Sequence, residues 1–212
     1  MSPLGGERPD WSRVGAVSWD VDGTLYDLGA VKRQLRRRAL LRALLPGTWR
    51  DRRVLADFLQ GMEEVRRQGG DLSRLRLGWP RQAMAAVEAG WLAPAIARAG
   101  PRAGVKELHA ALSARGLPQV VVSDHPAGEK LRALGLAGVF ALAVEGEALG
   151  WIKPSPRPFL RAAELLGVEP GALLHLGDRE DSDGVGARAA GCQVVVLGRD
   201  PAALPRLLAS LA

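Results

Sequence analysis

The chain has 212 residues, 47% of them hydrophobic and 25% charged, with a formal net charge of +6. That balance is the composition of a folded globular protein and excludes a disordered tail. No apolar run approaches the roughly 20 residues a membrane-spanning helix needs, and the start, MSPLGGERPDWSR, lacks the apolar segment of a signal peptide; the expected compartment is the cytoplasm. Cys192 is the only cysteine, which excludes an internal disulfide and a thiolate metal cluster. A metal would fall to oxygen ligands, which suits magnesium. The positive charge raises a nucleic-acid partner, but phosphorylated small molecules account for it equally well, and no aromatic residues interleave with basic ones as single-strand binding requires.

Residues 1–13 read as an N-terminal arm. Residues 14–19 form a short apolar run with β-branched members, the pattern of a buried strand, and Asp20 stands at its carboxyl end, where ligands collect in open α/β sheets. Asp22 lies past the strand, and Gly23 permits a sharp turn and a close approach. Two carboxylates held this near each other repel, unless a cation neutralises them or they take opposite acid and base roles.

From 29 to 99 the pattern is helical. Residues 30–45 are rich in strong helix formers, ended by Pro46-Gly47. In 50–68, Val54, Leu55, Phe58, Leu59 and Met62 recur at intervals of three and four, and 80–99 carry Met84, Val87 and Trp91 on one stripe. Segment 29–99 is therefore expected to be a helical insert, with 14–28 and 100–212 as the core. There, predicted strands at 119–122, 139–144, 173–176 and 193–197 alternate with helices, which implies a doubly wound parallel sheet. Leu204, Leu207, Leu208 and Leu211 line a closing helix.

Three further strings stand at or beyond predicted strand ends: Ser123-Asp124-His125, Lys153-Pro154-Ser155-Pro156-Arg157-Pro158-Phe159, and Gly177-Asp178-Arg179-Glu180-Asp181-Ser182-Asp183. A strand-end hydroxyl such as Ser123 can hydrogen-bond a phosphoryl oxygen. Prolines beside Lys153 restrict its approach, as preorganised electrostatics requires. Four carboxylates in six residues, 178–183, are either well solvated or built around a cation.

With Asp20-Val21-Asp22-Gly23-Thr24-Leu25, these strings resemble, in order, the four motifs of the haloacid dehalogenase superfamily of phosphohydrolases, across about residues 14–200. The resemblance implies a core of that superfamily's type with a small α-helical cap over small substrates. It implies Asp20 as nucleophile, Asp22 as acid and base able to titrate near the working pH, and Lys153 neutralising the transferring group. Thr24, Ser123 and Asp124 become candidate substrate-binding residues. Mg²⁺ would be held by Asp20, the Asp22 carbonyl and Asp178, with Asp183 acting through water or by orienting Lys153; Glu180 and Asp181 match no fixed position and are left to solvent. The second aspartate, absent from dehalogenases, favours phosphate monoesters of small metabolites. A sugar phosphomutase, a basic nucleic-acid binder and a catalytically silent relative are the alternatives.

Asp124 departs from the pattern, which usually has Asn there. An extra carboxylate facing a phosphate is unfavourable, so Asp124 is expected to turn away or pair with a basic group. His125 is placed to contact a leaving group, whereas His109 and His175 read as structural. Arg36, Arg37, Arg38 and Arg42 read as a solvated helix face or a positive cap, and Trp49, Trp79 and Trp91 as packing residues.

Overall fold

Five runs of apolar and β-branched residues pair side by side, all parallel, in the order β3-β2-β1-β4-β5: β1 Ala16–Trp19, β2 Gln119–Ser123, β3 Leu142–Glu145, β4 Leu173–Gly177 and β5 Gln193–Val196. The computed structural model describes residues 8–41, 48–75 and 81–211; Arg42, the Pro46-Gly47 turn, Trp79 and the side chain of Met84 lie outside them. Every residue of β1 and β4 is buried, as expected for central strands covered by helices on both faces. One face packs Val17, Trp19 and Leu174 against Leu108 and Leu112 of α5 (Val105–Ala114) and Leu204 and Leu207 of α10 (Ala203–Ala209). The other packs Ala16, Val120 and Leu173 against Phe159, Ala162 and Ala163 of α8 (Arg157–Leu166).

The α/β class holds, with two shifts. The third strand begins at Leu142 rather than 139, because Val139 closes a turn onto the Leu136 carbonyl at 3.1 Å and Phe140 turns inward against Trp19 and His109. The helix expected at 80–99 is broken into α3 (Arg81–Val87), a π-helical turn (Glu88–Leu92) and α4 (Ala93–Ala99). Pro94 has no N–H to give the preceding turn, and the helix widens where that bond is missing.

With α1 (Leu28–Leu41) and α2 (Thr48–Arg67), these helices form the insert, whose own core is Val54, Phe58, Met62, Val65, Val87 and Trp91. Ile152, next to Lys153, is buried in that same cluster, and its N–H donates to the Gly70 carbonyl at 2.8 Å. A Cβ at Gly70 would lie 2.0 Å from the Ile152 carbonyl oxygen, so only glycine permits this seam. The insert is thus seated on the loop that carries the third motif. At its base, Val31, Ala95 and Ile96 belong to the main core. Among the described residues no helix is long and apolar enough to cross a membrane.

Cys192 is buried in the second core, and burial pushes its thiol up to about 12. The thiolate is the reactive form, so the folded protein should react with a thiol reagent at neutral pH roughly 10³-fold more slowly than a free cysteine. One sulfhydryl should be released by denaturant; rapid labelling of the native protein would contradict the burial.

Candidate active site

Strand order reverses between β1 and β4, and the crevice beyond their carboxyl ends is where a doubly wound sheet binds ligands. Asp20 follows β1 and Asp178 follows β4 directly. Gly23, at φ +101°, brings the first loop so close that a Cβ there would lie 2.0 Å from Asp178 Oδ2. Arg102 fastens this loop from outside, donating to the carbonyls of Gly23 at 2.9 Å and Gly198 at 3.1 Å.

The Lys153 ammonium is buried between two carboxylates, paired with Asp20 Oδ1 and 2.7 Å from Asp183 Oδ1. Burial works against its charge, and Asp183 and Asp20 more than reverse this, holding it above the usual lysine range. Asp183 also takes the backbone N–H groups of Asp178 (3.2 Å) and Arg179 (3.0 Å) on Oδ2, while His175 Nε2 lies 3.1 Å from its Oδ1. His175 Nδ1 lies 2.9 Å from the Ser18 hydroxyl; burial holds the imidazole below its ordinary value, so the neutral ring donates to Asp183 and accepts from Ser18. His175, read from sequence as structural, is structural in this particular sense: it supports the aspartate that positions Lys153.

Oxygen atoms of Asp20, Asp178 and Asp183 lie within 4.8 Å of one another. Asp20 Oδ2 is buried with no hydrogen-bond partner. Burial, joined by Asp183, Asp178 and Asp22 and opposed by Lys153, holds the Asp20 carboxyl well above its usual range; burial and Asp183 push Asp178 up to about 6. An unpartnered buried oxygen among crowded carboxylates fits a hard divalent cation, and the all-oxygen donor set suits magnesium. Both Asp183 oxygens already have protein donors, so it would stand beside such a cation rather than on it. The Asp22 side chain stands outside this cluster. It faces Lys130 at 2.5 Å and takes the Tyr26 hydroxyl; burial raises it, but Lys130, His125 and Tyr26 more than compensate, holding it below the carboxylate range. The neutral-pH titration expected of Asp22 is therefore not provided by the protein alone.

Asp124 pairs with a basic group, and that group comes from the insert. Arg66 Nη2 and Nε donate to its Oδ2 at 2.9 and 3.2 Å, and Oδ1 accepts the Lys153 N–H at 2.9 Å. Both oxygens of this candidate substrate ligand are engaged by protein. Thr24 is fully buried with an unpartnered hydroxyl, and the Ser123 hydroxyl accepts the His125 N–H at 3.3 Å; both stand behind the cavity wall rather than on it. His125 borders the cavity, its Nδ1 2.9 Å from Glu147. Glu180 and Asp181 are exposed and paired with Arg188 and Arg179. His109 packs edge-on to Phe140. In the insert, Arg36 and Arg37 are exposed, Arg38 lies over buried Trp91, and Trp49 is exposed beside Arg52.

Lys130, Tyr26, Arg66 and Arg102 carry no motif and were not singled out from the sequence. A double-mutant cycle of Arg66→Met and Asp124→Asn should return a coupling of about 1–3 kcal/mol in unfolding free energy, because Arg66→Met strands the buried Asp124 and Asp124→Asn leaves Arg66 with Glu63 alone; additive effects would show that the two elements do not depend on this pair.

Tyr26, Arg66 and Lys130, with Asp20, Asp22, Asp124, Lys153, Asp178 and Asp183, line a cavity of about 500 Å³. The family description "haloacid dehalogenase-like hydrolase" matches residues 14–191. The glyceraldehyde 3-phosphate phosphatase of Methanopyrus kandleri is 31% identical over 198 residues, covering 88% of this chain and 84% of that one. The phosphoglycolate phosphatase of Neisseria gonorrhoeae is 41% identical over 86 residues, covering 39% of this chain and spanning only 36% of that relative. In structure, a Deinococcus radiodurans HAD family hydrolase with bound phosphate and sodium superimposes with a TM-score of 0.60 at 24% identity, covering 94% of both chains; at that identity the likeness speaks for the fold. Four motifs that the sheet gathers at one crevice, and a family match across nearly the whole core and insert, lead to one assignment: the chain belongs to the haloacid dehalogenase-like hydrolases.

Proposed function

We propose that the protein is a magnesium-dependent phosphatase that releases phosphate from a small monoester through an aspartyl-phosphate on Asp20. The observation that carries this reading is the unpartnered, buried Asp20 carboxylate oxygen, set beside Asp178 and clamped on its other oxygen by Lys153. Asp20 and Asp178, with the Asp22 carbonyl, would hold the ion, which when bound screens nucleophile from phosphate and stabilises charge on the phosphoryl oxygens.

An Asp20 carboxylate oxygen forms a bond to phosphorus as the bond to the leaving oxygen breaks. Asp22, in its protonated form, gives that oxygen its proton, releasing the alcohol. Water then attacks the same phosphorus, Asp22 takes its proton back, and the phosphorus–Asp20 bond breaks to free inorganic phosphate. A bound phosphate dianion raises the proton affinity of Asp22, which its acid role requires. Lys153 supplies positive charge from a fixed position, held there by Asp183 and, behind it, His175. The insert excludes water from the transfer.

The test is phosphate release from a generic aryl phosphate with magnesium and with chelator, Asp20→Asn serving as the control. Release that needs both the metal and Asp20 supports the reading. No metal-dependent release from the aryl phosphate or a panel of phosphorylated metabolites would overturn it.

A further inference from the structure

The cavity has a polar floor in the crevice, and above it the insert adds a run of apolar side chains beside its own Lys32, Gln60, Glu63, Arg66 and Glu88. The carboxylates of the crevice and Lys153 form the floor. The roof, from the insert, presents Leu28, Leu35, Leu55, Phe58, Leu59 and Leu92. Of these, the five leucines keep part of their surface uncovered, and Leu59 is 54% exposed. At about 500 Å³ the space lies within the ~300–1,000 Å³ of sites for drug-sized ligands, far beyond the needs of a phosphoryl group and one ion.

Charge on the wall points the same way. Among the described residues lining the cavity, carboxylates outnumber lysine and arginine side chains seven to five. The guanidinium groups are already matched: Arg66 is held by Asp124 and Glu63, and Arg179 by Asp181 and Glu63. Lys130 is held by Asp22 and Lys153 by Asp20 and Asp183. Lys32, on the roof, is exposed to water. Among the described residues, a divalent ion on the floor and a phosphate dianion leave no surplus of buried positive charge for a second acidic group on the substrate.

We infer that the leaving group is a neutral, mainly apolar alcohol, aliphatic or aryl, whose body lies against the insert while its phosphate sits on the floor. This rests on the phosphatase reading and narrows it away from phosphorylated hydroxy acids and polyols. Burying a methylene contributes enough transfer free energy for about a fourfold gain in affinity.

The experiment measures kcat/KM for the n-alkyl phosphates from methyl to hexyl, with phosphoglycolate and glycerol phosphate as polar comparators, on the magnesium-loaded full chain. The expected result is a rise of about fourfold per methylene, with the hexyl ester well above both comparators. Phosphate release that is flat with chain length, or fastest on either comparator, would overturn this inference and leave the phosphatase reading standing; release from none of them would overturn this inference, and the phosphatase reading with it if the aryl phosphate and the metabolite panel are also left intact. The variants Leu59→Gln and Leu55→Asn, at an exposed and a partly exposed position, should lower the hexyl-to-methyl ratio severalfold. An unchanged ratio in both would show that the chain does not lie along the roof.

Discussion

Replacing Asp20 by Asn lowers phosphate release by at least about 10⁴-fold, the scale on which loss of a covalent nucleophile acts, and yet leaves the metal-free protein as stable as wild type or more so. The carboxylate is buried, one oxygen has no partner, and Asp178 and Asp183 stand close by. Among the described residues its compensation is Lys153, which keeps Asp183 when Asp20 becomes neutral. Burial and the neighbouring carboxylates hold this carboxyl well above its ordinary range, so an amide of the same shape relieves part of the repulsion. We expect a melting temperature up by a few degrees without metal, since about 1 kcal/mol moves a protein of this size by roughly 2–4 °C. Magnesium should raise the melting temperature of wild type by mass action and chelator should cancel that rise, whereas the variant should show a smaller response. A variant that melts well below wild type without metal would show that the Asp20–Lys153 attraction outweighs the crowding.

Replacing Lys153 by Met has the opposite effect on stability. It removes the ammonium that two buried carboxylates share, and breaking a buried pair from one side costs about 3–5 kcal/mol, so thermal melting should fall by roughly 6–20 °C. Catalysis should fall at least about 10²–10³-fold in kcat, the effect of removing one preorganised stabilising group. Circular dichroism melts read the first effect and phosphate release below the melting point reads the second. Since the same lysine separates Asp20 from Asp183, magnesium should recover part of the lost stability but not the rate. A variant as stable as wild type would mean that the crowded carboxylates are protonated in the fold and need no cation.

The two outcomes together separate charges that the fold tolerates for the sake of chemistry from charges that it needs. Asp20 belongs to the first group and Lys153 to both. His175 and Ser18 belong to neither the reaction nor the cavity, but their hydrogen bonds fix one face of Asp183, and so the direction of the lysine.

Most of the core was legible because each of its elements is declared locally. An apolar run bounded by glycine or aspartate reads as a strand, and three such runs end at Asp20, Ser123 and Asp178, while Lys153 follows the third strand beyond a loop. The order of those strings identified Asp20, Asp22, Lys153, Asp178 and Asp183 and their common crevice. Two local rules were overridden by neighbours: Phe140 left the expected third strand to pack on Trp19, and Pro94 opened a π-helical turn in a stripe that reads as one helix.

What the sequence determined by itself was the set of candidate site residues and the α/β frame, because short-range chemistry and strand-end position are written in contiguous residues. Tertiary structure alone decided which charges are matched. Asp124 meets Arg66 across 58 positions, Asp22 meets Lys130 across 108, and Lys153 meets Asp20 across 133. Pairings over such separations depend on how the insert and the sheet are packed against each other, and no local pattern encodes them. The same packing sets the insert's leucines opposite the crevice's carboxylates.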